Sequence, residues 1–282
     1  MFMNFKIASK YFYEQLSTIY SLREAQQITN LVLEEITQLN QTQRLIADKS
    51  ELTPHQIHLL ENYLHRLKQH KPVQQVLGYA WFCGNKFLVN EHVLIPRPET
   101  EELVELIAKE NNNKVVEILD IGTGSGCIAI SLKNKLPFAN VTAIDISSYA
   151  LQVAHQNSEN LQQTIELKQV NFLNEDTWIE LENYDIIVSN PPYIKNLEQS
   201  TMQQNVLAYE PHIALFVPND DALIFYKKIV TFAKKHLKKQ GKIYVEINES
   251  LGNETAAIFL NEGFQTQIIN DMQEKERIIK AC

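Results

Sequence analysis

The segment that most constrains this 282-residue chain is the strand-like run Val115-Val116-Glu117-Ile118-Leu119-Asp120 followed by Ile121-Gly122-Thr123-Gly124-Ser125-Gly126. β-Branched residues that pass at once into three alternating glycines read as a strand turning sharply into a helix. Glycines there permit positive φ and let a ligand approach the backbone, at the carboxyl end of a strand where open sheets bind ligands. The sequence around this turn alternates. Helices are predicted at Pro98–Glu110, Cys127–Leu136, Ser147–Asn157 and Ala222–Leu237, and strands at Val141–Asp145, Ile165–Val170, Tyr184–Ser189 and Lys242–Glu246. Such alternation implies an α/β fold, a mostly parallel sheet with helices on both faces. Two further strands, Thr266–Asn270 and Arg277–Ala281, are joined by too few residues for a helical crossover and should form an antiparallel hairpin at the sheet edge.

Residues 1–75 differ in kind. They contain no glycine and place Ile28, Leu31, Val32, Ile36 and Leu39 at helical spacing, the pattern of a small all-helical domain. Ser21 with Glu24, and Thr53 with Gln56 after which Pro54 takes the first helical position, read as capping boxes. From Gly78 to Val93 aromatic and β-branched residues with glycines predict a hairpin. The expected organisation is therefore a helical domain over 1–75, a β-hairpin linker over 76–97 and an α/β domain over 98–282.

Composition narrows the function classes. No apolar run of about 18 residues occurs, and Met1 to Ile7 lacks the charged-then-apolar order of a signal peptide, so neither a membrane nor a secreted protein is expected. Cys83, Cys127 and Cys282 are odd in number and form no Cys-x-x-Cys pair, which suits a reducing cytoplasm. The net charge of −8 opposes non-specific attraction to phosphate backbones. Residues 1–75 hold eight basic and seven acidic side chains, so the remainder carries about −9. The basic exception is Lys227, Lys228, Lys234, Lys235, Lys238 and Lys239 on the long predicted helix, either its solvated face or a nucleic-acid contact.

The glycine spacing, Gly122-x-Gly124-x-Gly126, is neither the Gly-x-Gly-x-x-Gly of dinucleotide folds nor a phosphate loop ending in Gly-Lys-Ser/Thr. Asp145 closes the second strand, where a carboxylate can accept both hydroxyls of a ribose. Strand, loop, helix, strand and acid in that order suit an adenosine ligand without a pyrophosphate, and S-adenosylmethionine is that ligand. Thr123 and Ser125 belong to the same loop and are expected to bind the same ligand. The plainer reading is a tight strand-to-helix turn with Asp145 capping the next helix. Cys127, at a helix start, is read as a packing residue because no general base accompanies it.

A second site follows the strand Tyr184–Ser189, which runs into Asn190-Pro191-Pro192-Tyr193. Two prolines fix two φ angles and remove two amide donors, and the first biases Asn190 away from helical geometry. The Asn190 side-chain oxygen and the Pro191 carbonyl can both accept from a planar NH2 group, while Tyr193 offers a ring face. The inferred substrate group is an NH2 on an sp2 carbon, whose nitrogen becomes positively charged as it attacks a methyl carbon. Two acceptors would stabilise that charge. The plainer reading is a proline-rich turn.

These residues closely resemble the Rossmann-like, S-adenosylmethionine-dependent amino-methyltransferases with an Asn/Asp-Pro-Pro-Tyr loop. Gly78 to Phe82, Val93-Leu94-Ile95-Pro96-Arg97-Pro98-Glu99-Thr100-Glu101, Tyr209-Glu210-Pro211, Asp221-Ala222-Leu223 and Val245-Glu246-Ile247 resemble more narrowly the peptide chain release factor N5-glutamine methyltransferases, over about residues 72–280. The resemblance implies a class I methyltransferase sheet and methylation of the glutamine in the Gly-Gly-Gln motif of class-I release factors. It implies that Gly122, Gly124, Gly126, Asp145 and Phe172 hold the cofactor, with Asn190 to Tyr193 holding the glutamine. Asn171 stands where the family usually has Asp, and Asn248 where it usually has Gly. A sister family that methylates a glutamine of a large-subunit ribosomal protein shares these loops, and Trp81-Phe82-Cys83-Gly84 is reminiscent of it. An adenine-N6 nucleic-acid methyltransferase shares both site motifs but is opposed by the charge, and a non-catalytic S-adenosylmethionine sensor by the two intact loops. Arg97 either orients substrate or pairs with an acid. His55 and His58 share a helix face without a ligand-spaced partner, so no metal site is expected.

Overall fold

The structure, a computed structural model, describes residues 3–202 and 204–282; Met1 and Phe2, which open the segment read for a leader, lie outside the described residues. The chain divides into two compact units, one of residues 3–78 with 204–209 and one of 79–202 with 210–282.

In the first unit, α1 (Phe5–Leu16), α2 (Leu22–Thr37), α3 (Gln41–Ile46), α4 (Pro54–Lys68) and α5 (Val73–Leu77) enclose a core of Phe12, Leu16, Val32, Leu33, Leu60 and Leu67. The buried stripe of α2 runs Ala25, Ile28, Thr29, Val32, Leu33 and Ile36. Leu31, expected on that stripe, points away from it and is 41% exposed. The Thr53 box is complete, with Gln56 N–H donating to Thr53 Oγ1 and Thr53 N–H to Gln56 Oε1. Ser21 caps α2 by accepting from Glu24 N–H. A segment far along the chain completes this unit: in α9 (Gln204–Tyr209) the Tyr209 carbonyl accepts from Gln75 Nε2 at 2.8 Å, and the Tyr209 hydroxyl donates to the Gln69 carbonyl at 2.7 Å.

The second unit opens with the hairpin β1 (Tyr79–Phe82) and β2 (Asn85–Leu88), then α6 (Pro98–Asn111). The sheet is built from β3 (Glu117–Ile121), β4 (Asn140–Asp145), β5 (Glu166–Gln169), β6 (Tyr184–Ser189), β9 (Leu237–Glu246), β10 (Thr266–Asn270) and β11 (Glu276–Ala281) in the order β10-β11-β9-β6-β3-β4-β5, while β7 (Ile194–Lys195) and β8 (Phe216–Val217) pair separately. Helices α7 (Cys127–Lys135), α8 (Ser148–Asn160), α10 (Ile224–His236) and α11 (Gly252–Asn261) lie in the connections between its strands. Pairings from β9 to β5 are parallel, whereas β11 is antiparallel to both β9 and β10, which gives the edge hairpin the sequence predicts. Strand alternation sorts the core into two layers. Leu119, Ile187 and Val245 meet Tyr226, Phe232 and Phe259 on one face; Ile118, Val188 and Tyr244 meet α6 and α7 on the other.

The long helix ends earlier than its lysines suggest. Leu237 is extended and begins β9, and the β6–β9 register jumps from Tyr184↔Leu237 to Ile186↔Lys242, so residues 238–241 bulge out. Lys238 and Lys239 therefore sit on a strand, and the six lysines do not form one helical stripe. Five of them are ion-paired: Lys227 with Asp221, Lys228 and Lys235 with Glu175, Lys234 with Glu262, and Lys238 with Asp185.

Glu110, at the end of α6, ties that helix to the far half of the sheet by accepting from Lys242 and Lys280 at 2.6 Å and from the Tyr244 hydroxyl at 2.8 Å. Burial raises its pKa, but the three hydrogen bonds and the lysine charges outweigh that and hold the carboxyl down at about 2. Because the folded-state value lies below the unfolded one, the contribution is full above about pH 4.5 and fades as pH falls towards 2. We expect Glu110→Gln to lower the melting temperature at neutral pH and to flatten its decline between pH 4.5 and 2. Thermal denaturation across that range, wild type against variant, checks both.

Candidate active site

The chain runs β3, β4, β5 outward in one direction, then returns to place β6 on the other side of β3. That reversal sets the carboxyl ends of β4, β3 and β6 side by side, with Ile121 opposite both Ile144 and Ser189. Open parallel sheets bind ligands at such a switch point. The Ser189 hydroxyl fixes the junction by donating to the Ile121 carbonyl at 2.7 Å. Outside it lies a cleft of about 900 Å³, open mouth included, lined by Gly122, Gly124, Asp145, Phe172, Asn190 and Pro191 among others.

Within the glycine loop four amides are already spoken for. Gly122 and Thr123 donate to the Ile144 carbonyl, Gly126 donates to Thr123 O, and Gly124 donates to Asp145 Oδ2 at 2.9 Å. With four of its amides given to protein acceptors, the loop makes a poor phosphate cradle, which suits a ligand lacking pyrophosphate. The three glycines divide by role. Gly122 and Gly124, at φ 74° and 55°, border the cleft, and a Cβ on either would meet no protein atom within 4 Å. A Cβ on Gly126 would lie 2.8 Å from Ile130 Cδ1 and 3.1 Å from Ala154, so this glycine is there for packing at the start of α7. Thr123 and Ser125 are buried in the turn and do not line the cleft. Thr123 donates to Asp120 Oδ2 at 2.6 Å, and the Ser125 carbonyl accepts from Asn157 Nδ2 at 2.9 Å. Asn157 is fully buried in α8 and also bonds both the N–H and the carbonyl of Leu88 on β2, so it fastens the hairpin to the loop. Burial pushes Asp120 up to about 7, and Cys127 to about 12, the protonated state expected of a packing thiol.

Asp145 caps no helix. That task falls to Ser147, whose hydroxyl accepts from Ala150 N–H. Asp145 Oδ1 takes Ser147 N–H and Oδ2 takes Gly124 N–H, both at 2.9 Å, and the Ile146 amide adds to them, so backbone amides hold the carboxylate at the wall of the cleft. Burial raises its pKa and these amide bonds oppose the rise. Such a carboxylate fits a vicinal diol. Phe172, held by Trp178 Nε1 donating to its carbonyl at 3.0 Å, adds an apolar wall, with Ile144, Ile146 and Val170 alongside. The residues present thus fit an adenosine group with its diol on Asp145. Asn171 is exposed and borders the same wall. Asn248 accepts from the Ser250 amide and hydroxyl at the entry to α11.

At the other strand end, the loop Asn190–Tyr193 is anchored at both sides, by Ser189 before it and by Ile194 after it, which pairs with Leu215 and Phe216. Asn190, Pro191 and Pro192 line the cleft. Tyr193 does not: it is half-buried against the core and borders a neighbouring depression with Glu198, Glu249 and Arg277. Its burial raises the hydroxyl well above the usual tyrosine range. Asn190 Nδ2 donates to Thr100 Oγ1 at 3.2 Å, and Thr100 donates to Glu246 Oε2 at 2.6 Å. The sequence reading assigned neither Thr100 nor Glu246 a role, although both lie in segments that carried the resemblance; their distance along the chain hid the contact. Arg97 pairs with the buried Glu210 at 2.7 Å, and Glu210 also accepts from Ile95 N–H.

Replacing Gly126 by Ala should lower the melting temperature more than replacing Gly124, because both strain a positive φ but only the first meets Ile130 and Ala154. Differential scanning calorimetry of the two variants decides this.

Comparison with known proteins places this geometry. Residues 98–212 match the methyltransferase small domain and residues 8–78 the PrmC N-terminal domain. The Flavobacterium psychrophilum release factor glutamine methyltransferase is 43% identical over 96% of each chain, and that of Bacteroides thetaiotaomicron is 46% identical over 79% of this chain and 80% of its own. Among solved structures, a Pyrococcus furiosus methyltransferase superposes with TM-score 0.53 at 18% identity over 78% of this chain and 98% of its own. The hMettl16 catalytic domain does so with TM-score 0.56 at 14% identity, over 81% and 82%. Both share the fold. With relatives this similar along nearly its whole length and a Rossmann-like methyltransferase sheet beneath the site, the chain belongs to the release factor glutamine methyltransferase family.

Proposed function

We propose that this chain transfers a methyl group from S-adenosylmethionine to the side-chain amide nitrogen, N5, of the glutamine in the Gly-Gly-Gln motif of class-I peptide chain release factors. The carrying observation is that one cleft is lined both by a carboxylate fixed by backbone amides, Asp145, and by an acceptor loop opening on Asn190. Membership of the family supports the substrate.

Asp145 holds the ribose hydroxyls of the cofactor, Phe172 and Ile146 flank the adenine, and Gly122 and Gly124 let the backbone come close. Thr123, Ser125 and Gly126 serve by keeping the loop's shape. The bound cofactor supplies an electrophilic methyl carbon on a sulfonium. An amide nitrogen is a weak nucleophile because its lone pair is delocalised into the carbonyl. The Asn190 oxygen and the Pro191 carbonyl draw on its two hydrogens and stabilise the positive charge that grows on nitrogen as the new bond forms. Pro191 and Pro192 hold these acceptors rigid, so little reorganisation is required at the reacting atom. Tyr193 supports the loop from behind. No side-chain base is needed before attack, since the nitrogen loses a proton only once the C–N bond exists.

The helical unit is assigned to recognition of the protein substrate, because a glutamine at a loop tip must be oriented from a distance. The pairing of five surface lysines with carboxylates supports a protein rather than a nucleic-acid substrate. Three cysteines free of disulfides suit work in a reducing cytoplasm.

Radiolabelled methyl transfer tests this directly. Label should appear on purified release factor and vanish when its Gly-Gly-Gln glutamine is replaced by Ala; label on large-subunit ribosomal protein or DNA instead would discard the proposed substrate. Asn190→Ala should lower the transfer rate by about 10² to 10³ while cofactor affinity measured by calorimetry changes little. Asp145→Ala should weaken cofactor binding foremost, and unchanged affinity would refute the ribose assignment.

A further inference from the structure

Asn190 can serve as an acceptor only if its amide is turned with the oxygen towards the cleft. Nothing in an isolated Asn-Pro-Pro-Tyr loop decides this, since the two faces of a primary amide are nearly the same shape. The deciding contact comes from far along the chain. Thr100, 3% exposed in the first turn of α6, receives Asn190 Nδ2 at 3.2 Å and donates to Glu246 Oε2 at 2.6 Å, where Glu246 is 2% exposed at the end of β9. A hydroxyl has one proton. Spent on an ionised carboxylate, which only accepts, that proton is not available to Asn190, and the Thr100 oxygen can only receive.

We propose that Thr100 and Glu246 are positioning residues for methyl transfer: the Thr100 hydroxyl, committed as donor to the Glu246 carboxylate, fixes the Asn190 amide with its nitrogen inward and its oxygen towards the substrate. The inference rests on the release-factor reading and adds to it the device that orients the acceptor. It also makes the site sensitive to pH. When Glu246 takes up a proton, its O–H can donate to Thr100, the Thr100 proton is freed towards Asn190, and the amide turns over. A substrate NH2 then meets an NH2 in place of an oxygen. Burial raises the Glu246 carboxyl to about 7, against the hydrogen bond from Thr100. The groups that face it are Arg277 of β11, Arg97 and Glu99 at the start of α6, Tyr193 of the acceptor loop, and Tyr226 of α10, whose hydroxyl donates to the Glu246 main-chain carbonyl. The arginines favour the charged form and Glu99 opposes it. Because the productive state is the ionised one, transfer is supported above the Glu246 pKa and lost as pH falls through it.

Two readouts test the relay in the full-length protein. The first is the single-turnover rate of methyl transfer to release factor against pH. Thr100→Val, which keeps the shape and removes the hydroxyl, should lower the rate by about 100-fold with cofactor affinity unchanged. Thr100→Ser should restore most of it. Glu246→Gln should abolish the acid limb near pH 7 seen in the wild type. The second readout needs no substrate: the side-chain amide 1H–15N resonances of Asn190, assigned by their loss in Asn190→Asp, should titrate with the Glu246 pKa in the wild type and become independent of pH in Glu246→Gln. Asn190 resonances indifferent to Thr100→Val and Glu246→Gln, or a Thr100→Val enzyme as fast as wild type, would overturn the proposal. A wild type that titrates as described yet methylates no release factor would sustain the relay and sink the substrate assignment.

Discussion

Everything in the site descends from the parallel pairing of β3 with β4 on one side and β6 on the other. Neighbouring strands stand about 4.8 Å apart, so three loops far apart in sequence emerge within reach of a single small molecule. The first is the glycine turn after Ile121, the second Asp145 with Ile146 and Ser147, and the third the loop opening on Asn190. The two core layers keep that pairing rigid, with rings of α10 and α11 on one face and aliphatic side chains of α6 and α7 on the other. The chemistry asked of the protein is modest. It must bring a methyl donor and an amide nitrogen together, exclude freedom of orientation, and offer acceptors where positive charge appears.

Much of this was legible in the sequence, for reasons that can be named. The strands of the sheet declare themselves because burial on both faces demands apolar runs such as Ile186–Val188. The glycine turn and the proline loop declare themselves because few residue types tolerate their backbone. Asp145 was legible as a cleft residue because it closes a strand whose carboxyl end opens there. What sequence could not separate was a glycine that borders the cleft from one that fills a packing gap, since Gly124 and Gly126 look alike until Ile130 and Ala154 are in place.

The contacts that escaped are all long-range. Thr100 and Glu246 are separated by 146 residues. Arg97 and Glu210 are 113 apart. No local period or spacing links them. The lysine stripe was misjudged for a different reason: Lys235, Lys238 and Lys239 continue a helical charge pattern past the helix end at His236, and only the bulge opposite β6 shows that the chain has already turned into β9. Tyr193 is a milder case, since an aromatic ring beside the Asn190-Pro191-Pro192 loop serves equally well as a wall or as a buttress, and the core claims it.

The helical unit borrows its last piece from deep in the other unit's sequence. Tyr209 meets Gln69 and Gln75 only after more than 130 residues of intervening chain have been made. During synthesis at about 5–20 residues per second, the nascent helices therefore emerge without the strap that Tyr209 supplies. They wait several seconds or more until the strands β3 to β6 have left the ribosome. Completion of the amino-terminal unit is thus tied to the birth of the catalytic one, and a chain truncated in its middle would leave both unfinished.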